Sequence, residues 1–97
     1  MFGLDKLKDF KKNAEEAKAR LEGIIVEGVA GSELVTVEMT AAKKMVGIKI
    51  NQSVFNTAEK EAVEKLILEA CNHAMEQADR VAASEMKSMM PNIPGLG

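Results

Sequence analysis

The spacing of apolar residues changes along the chain, and each spacing predicts a different element. Near the amino terminus, apolar residues recur at alternating intervals of three and four, the pattern of a helix seam. The seam consists of Leu7, Phe10, Ala14, Ala17 and Leu21, with Leu4 extending it backwards. Because this stripe is only about 80° wide at 100° per residue, we expect a helix from Leu4 to Leu21 held along one edge and otherwise solvated. Residues 1–3 are expected to form an amino-terminal tail.

The stretch from Ile24 to Asn51 is rich in β-branched residues and predicts a three-stranded antiparallel meander. The first strand is Ile24–Val29, and Ala30–Ser32 supply a turn. From Leu34 the chain alternates, with Val35, Val37 and Met39 on one side and Thr36, Glu38 and Thr40 on the other. After a connection at residues 41–43, the third strand has Val46, Ile48 and Ile50 on one side and Met45, Gly47 and Lys49 on the other. The apolar face of such a sheet needs a helix to cover it.

Residues Ala58 to Met89 contain no Gly or Pro and predict one long helix, straight or bent, capped by Asn56 or Thr57. Its first apolar stripe is Val63, Ile67, Ala70, Ala74 and Val81, and its second is Leu68, Cys71, Met75, Ala82, Met86 and Met89. Together the stripes span about 160 to 200°, too wide for one small sheet. We therefore expect a homodimer, with one stripe on the chain's own sheet and the other at the partner. The predicted dimer interface is Leu68, Cys71, Met75, Ala82 and Met86.

Composition places these elements in one small α+β domain covering residues 1–97. Of the residues, 46% are apolar but only 3% aromatic, so the core must be built from Ile, Val, Leu, Met and Ala. A chain this short often completes its core by oligomerising. The amino terminus lacks the apolar core of a signal peptide, no apolar run approaches a membrane span, and the lone cysteine cannot form an intramolecular disulfide. We therefore expect a soluble, cytoplasmic protein without a membrane partner.

The residues that could carry chemistry do not form an enzyme site. His73 lies outside both stripes of the long helix and is expected to be solvated or to act as a cap, whereas Cys71 is expected to be a small buried hydrophobe. A single His and Cys two residues apart are too few for zinc. The sequence therefore predicts no catalytic activity, metal, cofactor or small-molecule substrate.

The basic residues say more about function than His73 and Cys71 do, because they could form a local nucleic-acid-binding surface. The net charge of -2 gives no overall attraction to nucleic acid. Lys8, Lys11, Lys12 and Lys18 fall to one side of the first helix's seam. Arg80 and Lys87 are seven residues apart on the long helix, on one line with His73. Two interpretations remain open: a solvated, salt-bridged surface, or flanks that contact phosphates with little sequence specificity.

Several short motifs, in order, resemble the YbaB/EbfC family of bacterial nucleoid-associated proteins. They are Met1-Phe2-Gly3, Val26-Glu27-Gly28-Val29-Ala30-Gly31, Leu34-Val35-Thr36-Val37, Val46-Gly47-Ile48-Lys49-Ile50 and Pro94-Gly95. The family usually has glycine where this chain has Glu33, an Asn-Gly-like turn at Thr40-Ala41, and Asp-Pro at Asn51-Gln52. The resemblance implies an intertwined or side-by-side homodimer whose helices project as two arms, spaced for duplex DNA to sit between them.

The expected function is accordingly a non-enzymatic, nucleoid-associated protein that binds duplex DNA as a homodimer, with gene expression and nucleoid organisation as the processes it would influence. The basic residues expected at the DNA are chosen by charge placement, since no family motif identifies them: Lys8, Lys11, Lys12, Lys18, Arg80 and Lys87. The alternative is a protein-interaction module that uses the Met-rich end of the long helix and the flexible Pro/Gly tail at residues 91–97.

Overall fold

The computed structural model describes residues 2–89, and for residues 2–8, 10, 57 and 89 it describes the backbone alone. Met90 and the predicted tail at residues 91–97 lie outside the described residues. The order of elements is the predicted α+β order with one additional short helix. The elements are α1 (Phe2–Glu22), β1 (Ile25–Ala30), β2 (Val35–Thr40), β3 (Met45–Ile50), α2 (Gln52–Thr57) and α3 (Lys60–Met89). Phe2 and Gly3, predicted to be a tail, belong to α1, because nothing before Leu4 stops a helix.

The three strands form an antiparallel sheet in sequence order. The register places Gly28 opposite Val37, and Val37 opposite Ile48. Directly opposed residues point to the same face of a sheet, so these three share one face, which we call the inner face. Val35 and Met39 lie on it as well, and with Val37 they are buried. The alternation predicted for the second strand is confirmed.

α3 packs on the inner face over β1 and β2, and the contact is unusually close. The buried side chains that α3 turns to the sheet are all alanines, Ala70, Ala74 and Ala78. A Cβ atom added at Gly28 would lie 2.2 Å from the carbonyl oxygen of Ala70 and 2.2 Å from the backbone nitrogen of Ala74. Only glycine fits at this crossing, because any side chain would push α3 off the sheet.

β3 departs from the prediction in two ways. The sequence alternation placed Met45 on the side opposite Ile48, but a bulge shifts the register and pairs Met45 with Met39 on the inner face. In addition, the expected helical cover does not reach β3. Val46 and Ile48 are 52% and 45% exposed. The reason is width, since a helix about 10 Å across spans roughly two strands that are about 4.8 Å apart.

The segment after the sheet was also predicted wrongly. A cap at Asn56 or Thr57 followed by a helix from Ala58 was expected, but residues 52–57 already form α2. Asn51 caps α2, because its side-chain oxygen accepts the Ser53 N–H at 2.9 Å. Ala58 then adopts an extended backbone (φ -95, ψ 141), which separates α2 from α3. Buried Val54 anchors α2, a tertiary contact that periodicity in six residues cannot reveal.

α1 projects from this body. Its main contact with another element is with α3. Leu21 and Ala17 near its carboxyl end are half-buried, whereas Ala14 is exposed. The molecule measures 66 × 26 × 18 Å, and α3 alone accounts for about 45 Å at about 1.5 Å per residue. The described part of the chain is therefore a compact sheet-and-helix body extended by a helical arm.

Candidate nucleic-acid interface

α1 carries the lysines that the sequence predicts to contact DNA. Lys11, Lys12 and Lys18 are exposed, and none forms an ion pair with another described side chain. Lys8 lies on α1, but its side chain is outside those described. At 100° per residue, Lys11 and Lys18 lie about 160 to 180° around the helix from Arg20, the residue that contacts α3. They lie about 60 to 120° from half-buried Ala17 and Leu21, so they flank the packed face of α1 on the side opposite Arg20.

The basic residues of α3 form a separate group. Arg80 and Lys87 are exposed and lie within about 20° of each other on the helix. They are about 140 to 160° from Glu85, which turns toward α1. No described ion pair involves these two residues or Lys11, Lys12 and Lys18, so the two basic groups lie on separate helices without a described contact.

Other basic residues are engaged in ion pairs with acidic neighbours. Arg20 contacts Glu85 at 3.3 Å. The remaining pairs are Lys43 with Asp79 at 2.6 Å, Lys49 with Glu38 at 3.1 Å, and Lys60 with Glu64 at 3.8 Å. The hydrogen bond that the Lys49 ammonium donates to the Glu38 carboxylate raises the pKa of Lys49. None of the six basic residues predicted at DNA belongs to a described pair, although Lys44 and Lys65 are equally exposed and unpaired within residues 2–89.

His73, which shares a line with Arg80 and Lys87, has a structural role. Its Nδ1 accepts a hydrogen bond from the Val29 N–H at 2.9 Å, and its Nε2 lies 3.1 Å from Nε2 of Gln77. Val29 is on β1, an edge strand whose outward N–H groups have no strand partner. The ring therefore caps the edge of the sheet.

The second apolar stripe of α3 lies beside the uncovered part of the inner face. On one side of α3, His73 contacts β1. On the opposite side, Asp79 forms an ion pair with Lys43 of the β2–β3 turn. The stripe occupies that opposite side and so borders β3. Of the residues predicted at a dimer interface, Leu68, Met75 and Met86 are 62%, 42% and 60% exposed, while Cys71 and Ala82 are half-buried.

We call the set of apolar residues made up of Met45, Val46 and Ile48 of β3 and the described side chains of this stripe the apolar hollow; from α3 it includes Leu68, Cys71, Met75, Ala82 and Met86. Sequence reasoning missed the contribution of β3, because it assigned the whole inner face to the chain's own helix. The missing signal was the width of the sheet: three six-residue strands exceed what one helix covers.

Within residues 2–89, no three or more His, Cys, Asp or Glu side chains are grouped so that they could hold a metal ion. In the same range, no helix is long and apolar enough to span a membrane.

Both a family profile and individual relatives match most of this chain. A sequence profile of the YbaB/EbfC DNA-binding family matches residues 3–93. A nucleoid-associated protein of Clostridium kluyveri is 38% identical over 89 residues, covering 90% of this chain and 78% of that protein. A nucleoid-associated protein of Alkaliphilus metalliredigens is 32% identical over 95 residues, covering 96% of this chain and 83% of its own.

A solved structure supports the fold. The crystal structure of an uncharacterized protein from Helicobacter pylori superimposes with a TM-score of 0.75 at 20% identity, covering 94% of this chain and 97% of that one. The predicted order of helix, three-stranded antiparallel sheet and long helix is thereby confirmed for the single chain.

Proposed function

The chain belongs to the YbaB/EbfC DNA-binding family, and from that membership we propose that it is a nucleoid-associated protein that binds duplex DNA as a homodimer with little sequence specificity. The relatives from Clostridium kluyveri and Alkaliphilus metalliredigens carry the name nucleoid-associated protein. The proposal is for a binding protein rather than an enzyme, and the family's DNA-binding character supports it.

The structural observation that supports DNA contact is the flank of α1. Lys11, Lys12 and Lys18 are exposed, free of described ion pairs, and carried on an arm that projects from the body. Lysines placed this way suit phosphate oxygens, because they act as point charges that need no particular base. A protein with a net charge of -2 requires such a local group of cations to approach DNA. We include Lys8, Arg80 and Lys87 in the proposed contact surface on the same charge argument.

Surface area supports the homodimer. The chain exposes 7546 Å², whereas a compact monomer of its mass would expose about 5400 Å². Part of the excess belongs to the projecting arm, and the apolar hollow contributes exposed Leu, Met, Ile and Val side chains. A dimer would also present two α1 arms, which one chain cannot do.

Affinity for a duplex of arbitrary sequence, measured by fluorescence anisotropy across a salt series, tests the DNA-binding proposal. Binding should weaken steeply with salt, since each phosphate contact contributes about 0.9 to the slope of log K against log salt. Lys11→Glu with Lys12→Glu should lower the affinity and reduce that slope by up to about 4, because a homodimer carries each of the two substitutions twice.

The matched control is Lys60→Glu with Lys65→Glu, which makes the same change in charge at the far end of α3. This control should bind more tightly than the α1 double variant, with a slope near that of the wild-type protein. Absence of binding at low salt would contradict the proposal. Equal losses in the two double variants would assign the effect to net charge rather than to α1.

A further inference from the structure

α1 is attached to the body by a short joint and by one polar side-chain contact. Residues 23–24 connect α1 to β1, and the Gly23 N–H donates to the carbonyl oxygen of Arg20 at 3.1 Å, which closes the helix end. Among the described side chains, the polar contact from α1 to another element is the ion pair of Arg20 with Glu85 at 3.3 Å. The orientation of a 21-residue helix therefore depends on few interactions.

We propose that the pair of Arg20 and Glu85 is a latch that fixes the angle at which α1 leaves the body, and that Arg20 is a positioning residue for the lysine flank. This inference rests on the proposed DNA-binding function. It assigns to Arg20 a role different from that of Lys11 and Lys18, although all three are basic residues of one helix.

The geometry favours positioning over phosphate contact for Arg20. Its guanidinium already faces a carboxylate, and it points about 160 to 180° away from Lys11 and Lys18. The carboxylate of Glu85 is only 28% exposed, so its orientation is restricted and it gives the arginine a defined partner. Half-buried Leu21, next to Arg20, provides the apolar part of the same contact.

The latch sets the position of distant groups because it lies near the joint. Lys11 is nine residues from Arg20, about 13 Å along the helix axis, so a small change of angle at the joint moves the lysine by several ångströms. A surface ion pair adds little to overall stability, but it biases the angle of an arm that few other described contacts hold. Losing the pair should therefore reduce the fraction of molecules whose arms are correctly placed.

Charge-swap variants separate positioning from net charge. The set is Arg20→Glu, Glu85→Arg and the double swap, with Lys60→Glu as a control that repeats the charge change of Arg20→Glu at the other end of α3. Each protein is measured twice: by NMR amide order parameters for residues 11–18 without DNA, and by affinity for a fixed duplex.

We expect both single variants to lower the order parameters of residues 11–18 and the double swap to restore them. The Lys60→Glu control should leave them unchanged. DNA affinity should fall about two- to fivefold in Arg20→Glu relative to the Lys60→Glu control and return in the swap. Glu85→Arg is the sharpest case, because added positive charge alone would strengthen binding, whereas a released arm weakens it.

Unchanged order parameters in both single variants would overturn the latch, whatever the DNA measurement gives. A double swap that restored neither order nor affinity would overturn it too. If order is lost and restored as expected while no protein in the set binds DNA, the latch stands and the proposed DNA-binding function fails.

Discussion

The turn between β1 and β2 forces two ordinary residues into a conformation that suits glycine. Gly31, Ser32 and Glu33 have φ values of 61, 56 and 71. In this left-handed region a residue with a side chain is strained by about 1 to 2 kcal/mol, because its Cβ approaches the following carbonyl oxygen. Glu33 is also the position at which the chain departs from the glycine usual in its family.

Glu33→Gly should therefore stabilise the protein, by about 1 kcal/mol, since glycine relieves the strain but loses more conformational entropy on folding. Urea denaturation followed by circular dichroism measures the change. Glu76→Gly is the matched control, because it removes one exposed carboxylate from the middle of α3, where glycine costs about 1 kcal/mol. Loss of stability in both variants would show that the turn is not strained at Glu33.

Among the elements, the edge strand β1 depends on a side chain from α3. The outward N–H of Val29 donates to Nδ1 of His73 at 2.9 Å. His73→Ala removes the acceptor, and hydrogen–deuterium exchange of the Val29 amide should accelerate about fivefold or more, corresponding to a hydrogen bond worth about 1 kcal/mol.

Gln77→Ala provides the control for that measurement. Gln77 lies beside the same ring at 3.1 Å from Nε2 but does not contact Val29. Its removal should leave exchange at Val29 close to the wild-type rate. Equal acceleration in the two variants would mean that general loosening of α3, rather than loss of the acceptor, controls this edge.

The elements differ in how far the sequence predicts them. β2 is predicted well because it alternates strictly and its apolar residues, such as Val37, are buried on one face. In the first stripe of α3, Ala70 and Ala74 are buried as predicted, but buried Ala78 was left out of that stripe. α2 is missed because it is short and depends on buried Val54, and the role of His73 is missed because an unpaired strand edge becomes visible only when strand order is known.

At the scale of the whole molecule, the core has small side chains at its centre, and the apolar residues along one of its sides are exposed. Gly28 and the alanines of α3 bring helix and sheet together closely, but β3 and the second stripe remain outside that contact. Local periodicity shows that both are apolar, and it cannot show which chain covers them. The basic groups pose a similar question, because they lie on two helices, α1 and α3, and no described contact joins them.

A homodimer formed through the apolar hollow should dissociate when a charged side chain is placed within the hollow. Met75 is 42% exposed, so Met75→Glu should be tolerated by the isolated fold, but it would bury a carboxylate between two chains at a cost of several kcal/mol. Light scattering after size-exclusion chromatography should give the mass of a dimer for the wild-type protein and of a monomer for this variant.

Ser84→Glu introduces the same charge at an exposed position about 180° around α3 from Met75, and it should remain a dimer.

Because two linked arms raise the effective concentration of the second arm at the DNA, the monomeric Met75→Glu variant should also bind duplex at least tenfold more weakly. This figure is conservative, since linkage can supply a factor of about 10² to 10⁴. A wild-type protein with the mass of a monomer at about 100 μM, or a dimeric Met75→Glu, would exclude the hollow as the interface. Because Ser84 lies within one turn of Arg80 and Lys87, the charge control for duplex binding is Lys60→Glu with Lys65→Glu. Equally weak binding by that variant would assign the loss to added negative charge rather than to the loss of the second arm.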